Sequence, residues 1–186
     1  MPEDWTIRGI IRATFPLLVG LTLVELASGL VLDTGQEVLT TYPSLLTLVP
    51  VTIGMAGNLG SVLASRLSTA LHLGTLSFES RDDELAGNAV ATVALALTLF
   101  PLVGAGAWAV QFALGGLVLP LATVLLVATA SGVVLAVVAV LVAAAATYAA
   151  YRFRLDPDDV VIPVVTNVCD VLGVVVLLAA VELFVV

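Results

Sequence analysis

The chain has 186 residues, of which 61% are hydrophobic and only 11% charged, and its formal net charge is −8. Soluble domains carry about 25% charged residues, so this composition excludes an ordinary soluble domain. Six arginines without a lysine, against 14 acids, exclude a basic surface for nucleic acid, and a single cysteine, Cys169, excludes an internal disulfide or a thiolate metal cluster.

The mean hydropathy is +1.20. Several apolar stretches exceed the ~18 residues that read as membrane-spanning, and they are too long for barrel strands. The expectation is an all-α, multi-pass protein of five membrane helices in a single transmembrane domain, residues 1–186, without a soluble regulatory domain. The acidic opening MPEDW and the lack of a small-residue cleavage site argue against a cleavable signal peptide, so the first segment is expected to stay as a helix. Missing lysines and acid-rich loops suit either a salt-adapted archaeal cytoplasm or a GC-rich genome. The expected location is the plasma membrane of a prokaryote, a halophilic archaeon under the first of these readings.

The first segment spans about 15–38 and contains Glu25, with Thr22 and Ser28 three residues to either side. Glu25 suits an ion path, a proton acceptor, a partner for Arg66, or a structural hydrogen bond. The second segment, about 44–71, holds Pro50, Gly54, Gly57 and Gly60, a density that predicts an irregular or broken helix. Such a break can expose carbonyls beside a midplane site, and Asn58 adds a side-chain oxygen at similar depth; small-residue helix packing is the alternative. The loop at 72–86 carries Glu79, Asp82, Asp83 and Glu84 without the spacing of a Ca2+ loop, which points to a solvated surface. His72, Trp5 and Trp108 read as interfacial.

The third segment spans about 87–114, with a bend expected at Pro101. The fourth spans about 118–151 and carries no charge before Arg152. The fifth spans about 158–186, after Pro157, with Asp158 and Asp159 favouring a helix N-terminus. With five spans, all six arginines fall on one side, which the positive-inside rule makes cytoplasmic; the N-terminus is then inside and the C-terminus outside.

The fifth segment holds the strongest signal. From Val160 to Val181 the only charged residue is Asp170. At ~1.5 Å per residue it lies near the midplane, where an acid costs ~2.5–3.5 kcal/mol on insertion scales. So expensive a group marks a bundle interior, an ion path or a partner. Asn167 at i−3 and Gly173 at i+3 share its face, Thr166 lies at i−4, and Pro163 sits one turn before Asn167. Oxygen donors without imidazole or thiolate suit hard cations such as Mg2+, Ca2+ or Mn2+. No Ser–Lys or Ser–His pair lies inside the spans, there is no His-Glu-x-x-His, and the glycines of the second segment do not spell a phosphate loop, so an enzyme is not expected.

Two stretches carry a resemblance. LVPVTIGMAGNLGSVLASRLSTALHLG, residues 48–74, resembles the second membrane helix of the MgtE-type Mg2+ channel and transporter family, in particular its eukaryotic solute carriers. DPDDVVIPVVTNVCDVLG, residues 156–173, resembles the start of the fifth helix of that family. The resemblance implies a Mg2+ pore at a dimer interface lined by the second and fifth helices, with Asp170 at the position of the central Mg2+-binding acid. Pro50, Gly57 and Asn58 match the family's second-helix pattern, whereas Asn167 matches no family residue and rests on helical geometry. Because the eukaryotic relatives hold two such halves in one polypeptide, the partner is either a second copy or a paralogous half. One carboxylate cannot neutralise a divalent ion in a low-dielectric core, but two facing across a twofold axis can. Mg2+ sheds water reluctantly, so it is expected to bind hydrated, as cargo and without an organic cofactor. The rivals are an exchanger of Na+ or H+ against a divalent ion, coupled through Glu25, and a structural membrane subunit.

Overall fold

The computed structural model describes residues 6–77, 82–116 and 119–186. Among them there are six helices and no strand: α1 (Ile7–Thr34), α2 (Gln36–Thr41), α3 (Pro43–His72), α4 (Asp83–Ala113), α5 (Leu121–Phe153) and α6 (Pro157–Phe184). All but the short α2 are long and apolar enough to cross a membrane. Trp5, Glu79, Arg81 and Val118 lie outside the described residues.

Local chemistry sets the helix ends. Thr6 caps α1, its side-chain oxygen accepting from the Gly9 N–H at 3.1 Å, which starts the helix at Ile7 rather than near Phe15. The chain turns at Gly35, so Gln36–Thr41 forms α2 instead of prolonging α1 to Val38. Gly35 is buried, and a Cβ there would overlap the Leu178 side chain. Asp82 caps α4 by accepting from the Leu85 N–H, and Asp156 caps α6 by accepting from the Asp158 N–H with Pro157 at the first turn.

One expectation is overturned. α3 runs as an unbroken helix from Pro43 to His72, with Pro50 inside it. Pro50 removes one backbone donor and so frees the Leu46 carbonyl, but the neighbouring helices hold the backbone in register. Gly57 and Gly60 serve close packing against α6 instead, whereas Gly54 is exposed with no neighbour close to it. α4 likewise continues through Pro101.

α3 and α6 form the centre. Gly57 lies against Thr166 and Asp170, Gly60 against Val165 and Cys169, and Ile53 against Gly173, a register in which the two helices run antiparallel. α1 runs parallel to α6, with Glu25 at Asn167 and Gly35 at Leu178. α4 and α5 close the other side: the Phe100 ring fills the notch at Gly132, and Gly104 meets Ala128 and the Val124 carbonyl. Without a hydrophobic drive between helices in lipid, such close approach is what holds helices together. α1 differs from the other spans. Among the described residues it touches only α6 and α2, and its most apolar window has no buried residue.

The helix order brings the described arginines to one end. Arg8 and Arg12 start α1, Arg66 lies in the last turns of α3, and Arg152 and Arg154 immediately precede α6. Ser68 donates to Asp158 and Arg66 Nε donates to Asn88 Oδ1, which ties the end of α3 to the starts of α6 and α4.

Candidate functional site

Asp170 is the fourteenth of the 28 residues of α6, and Gly57 is at the middle of α3. They meet there: a Cβ on Gly57 would overlap Asp170 Oδ1 and come within 3.3 Å of Thr166 Cγ2. Glycine is required at this point because the carboxylate rests on the α3 backbone. One turn later, a Cβ at Gly60 would lie 2.9 Å from the sulfur of Cys169, which is fully buried. The sole thiol is therefore a packing group.

At about 100° of rotation per residue, Asp170 projects between Thr166 and Asn167. Thr166 faces α3 at Gly57, and Asn167 faces α1, its Nδ2 donating to Glu25 Oε1 at 2.7 Å and to the Leu21 carbonyl at 3.3 Å. α1 and α3 make no close contact with each other. Asp170 therefore sits half-buried at the floor of a groove, with α6 below it and α1 and α3 as its walls. Asn167 holds the Glu25 carboxylate beside the face of α6 that carries Asp170 one turn later.

The α3 wall carries small and polar residues. Pro50, Gly54, Asn58 and Ser65 are all exposed and Ser61 is half-exposed, and on a helical wheel they fall in one stripe beside Gly57. In a membrane-spanning helix such a stripe belongs to a water-lined path or a protein contact, not to lipid. Gly173 is buried against Ile53 and serves the α3–α6 packing, while Pro163 is half-buried two turns before Asp170 on the same face of α6.

The structure thus brings together Asp170, Gly57, Thr166, Asn167 and Glu25. It separates Glu25 from Arg66, whose Nε is taken by Asn88 on α4, so that pairing does not form. Two oxygens in the group lack a hydrogen-bond partner although buried, Thr166 Oγ1 and Asn167 Oδ1. The donors are carboxylate, amide and hydroxyl oxygens, a set that fits a hard cation.

A second acidic group includes a histidine that reads from sequence as interfacial. His72, Asp156 and Asp158, all exposed, place ligand atoms within 4.8 Å of one another where α3 ends and α6 begins. The sequence signal was the DPDD run, but only the fold brings His72 beside it. Trp108, expected at an interface, is pinned at the far end of α4, its Nε1 donating to the Leu119 carbonyl at 3.2 Å and its ring stacked on Phe112.

Comparison with known sequences bears on the family of the chain. The chain is 30% identical over 162 residues to solute carrier family 41 member 3 of Rattus norvegicus, an alignment that covers 84% of this chain and 34% of the relative. The chain therefore spans about a third of that protein's length. The sequence profile of the MgtE family, described as divalent cation transporter, matches residues 49–180, from the first turns of α3 to the last of α6, with Gly57, Asn58, Thr166, Asn167 and Asp170 inside it and Glu25 outside. By that match, the chain belongs to the MgtE family of divalent cation transporters.

Proposed function

We propose that the chain forms half of a Mg2+ pathway in the plasma membrane, a channel or facilitative transporter completed by a second copy or a paralogous half across a twofold axis. The observation that carries this reading is the groove. A half-buried carboxylate stands at mid-depth, resting on a glycine backbone and flanked by an exposed stripe of small and polar residues. Lipid cannot cover such a surface at low cost, whereas a second identical groove can. Two Asp170 carboxylates facing one another then match the charge of one divalent ion and accept hydrogen bonds from its bound waters. The freed Leu46 carbonyl and Asn58 on α3 would contact the same waters as the ion passes. The arginine-rich end is cytoplasmic in this reading.

The test is Mg2+ flux in liposomes. Asp170→Ala is expected to reduce flux to the level of empty vesicles while the oligomer stays intact on size exclusion; undiminished flux in that variant would end the proposal.

The Glu25–Asn167 hydrogen bond favours a second reading, coupled exchange, because it holds a titratable group next to the central acid. In that case flux depends on an imposed Na+ or pH gradient, and a channel's does not.

A further inference from the structure

The central acid is not alone at its depth. Glu25 comes from α1, outside the stretch matched by the family profile, and is held by the Asn167 amide of α6. We propose that Glu25 and Asp170 of a single protomer, with the Asn167 amide between them, form a divalent-cation subsite of their own in the groove, off the twofold axis.

Charge is the first argument. Two carboxylates in weakly polar surroundings repel one another, and holding both ionised requires a neutralising cation. Among the described residues no arginine supplies it: Arg66 is bonded to Asn88, and the others lie at the helix ends. One divalent ion matches the pair.

The amide is the second argument, independent of the acids. Asn167 is 4% exposed. Its Nδ2 spends its hydrogens on Glu25 Oε1 and the Leu21 carbonyl, two acceptors, which fixes which end of the amide is the oxygen. Oδ1 is left buried without a donor, on the same group that grips Glu25, and Thr166 Oγ1 one residue earlier is in the same condition. A buried acceptor left empty is costly. A cation, or the water it carries, satisfies Asn167 Oδ1 while bridging the carboxylates. All the donors are oxygens, and the set excludes soft metals.

The consequence rests on the dimeric transport reading above. A dimer then presents four acids at mid-depth instead of two, and holds two divalent ions, one beside each α1. Paired stations allow an incoming ion to displace one already bound, so binding can be firm without blocking release. α1 is suited to such a role, since only α6 and α2 hold it and a small tilt would move Glu25 relative to Asp170.

The test counts bound ions on the full-length protein in detergent, with Mn2+ as the probe and free Mn2+ read from its electron paramagnetic resonance signal. Wild type is expected to bind two Mn2+ per dimer, Glu25→Gln to fall to one, and Glu37→Gln on α2 to remain at two. Equal stoichiometry in wild type and Glu25→Gln overturns the subsite, including the outcome in which Glu25 carries Na+ or a proton instead. A monomeric protein that binds one Mn2+ per chain and loses it in Glu25→Gln keeps the subsite and sinks the dimer. Should Glu25→Gln fail to fold, Asn167→Ala takes its place, because it removes both the grip on Glu25 and the unpartnered oxygen; two ions per dimer retained there overturns the proposal.

Discussion

The α4–α5 seam and the α1–α6 seam solve helix association in opposite ways. Between α4 and α5 the contact is shape alone. Phe100, fully buried, fills the space left by Gly132, and Gly104 lets the helices approach near Ala128. The buried hydroxyls of α5 stay within their own helix, Ser131 donating to the Val127 carbonyl and Thr147 to the Ala143 carbonyl, each at 2.7 Å. Between α1 and α6 the contact is anchored by a carboxylate and an amide, and most of α1 stays uncovered. A seam made of shape needs no charge and changes little with ions. A seam made of unsatisfied oxygens invites a ligand, and its geometry is free to respond to one.

That contrast can be broken from either side. The largest expected effect is functional: Asp170→Ala abolishes Mg2+ flux in liposomes, while a melting curve in detergent stays near wild type because no packing group is lost. Gly132→Ala does the reverse. Its Cβ would overlap the Phe100 ring, so thermal unfolding should show a loss of about 1–3 kcal/mol, the range for overpacking, with Mg2+ binding unchanged. Gly57→Ala falls between them. It displaces the Asp170 carboxylate and presses on the Thr166 methyl, but meets side-chain atoms and no backbone, so calorimetry should show Mg2+ affinity weakened by about tenfold, ~1.4 kcal/mol, with a smaller loss of stability than Gly132→Ala. Asn88→Ala removes the acceptor for Arg66 and should cost about 1 kcal/mol in the same melting assay. Ser131→Ala, whose hydroxyl serves only its own helix, should change stability by about 0.5 kcal/mol or less. A large loss there would mean that α4–α5 is not held by shape.

Much of this protein was legible before any fold was drawn. Hydropathy runs are a local property, and they revealed five spans whose ends shifted by a few residues, most at α1, where the Thr6 cap starts the helix early. Asp170 was legible because one charge in a 22-residue apolar run is conspicuous at any orientation. The glycines of α3 were legible as a cluster but misread as a break, because composition cannot tell a glycine that loosens a helix from one that admits a neighbour. The partner of Glu25 was not legible. Pairing it with Asn167 rather than Arg66 depends on the rotation and offset of α1 against α6, across 142 residues of chain.

Composition by itself determined that the chain is helical and crosses a membrane, because transfer of apolar side chains out of water is additive and needs no knowledge of neighbours. It also determined that an acid would be buried at mid-depth. Which oxygens surround that acid was decided only by the tertiary structure. Gly57, Thr166, Asn167 and Glu25 come from three helices, and a hydrogen bond or a close approach exists only once the relative register and rotation of those helices have been set.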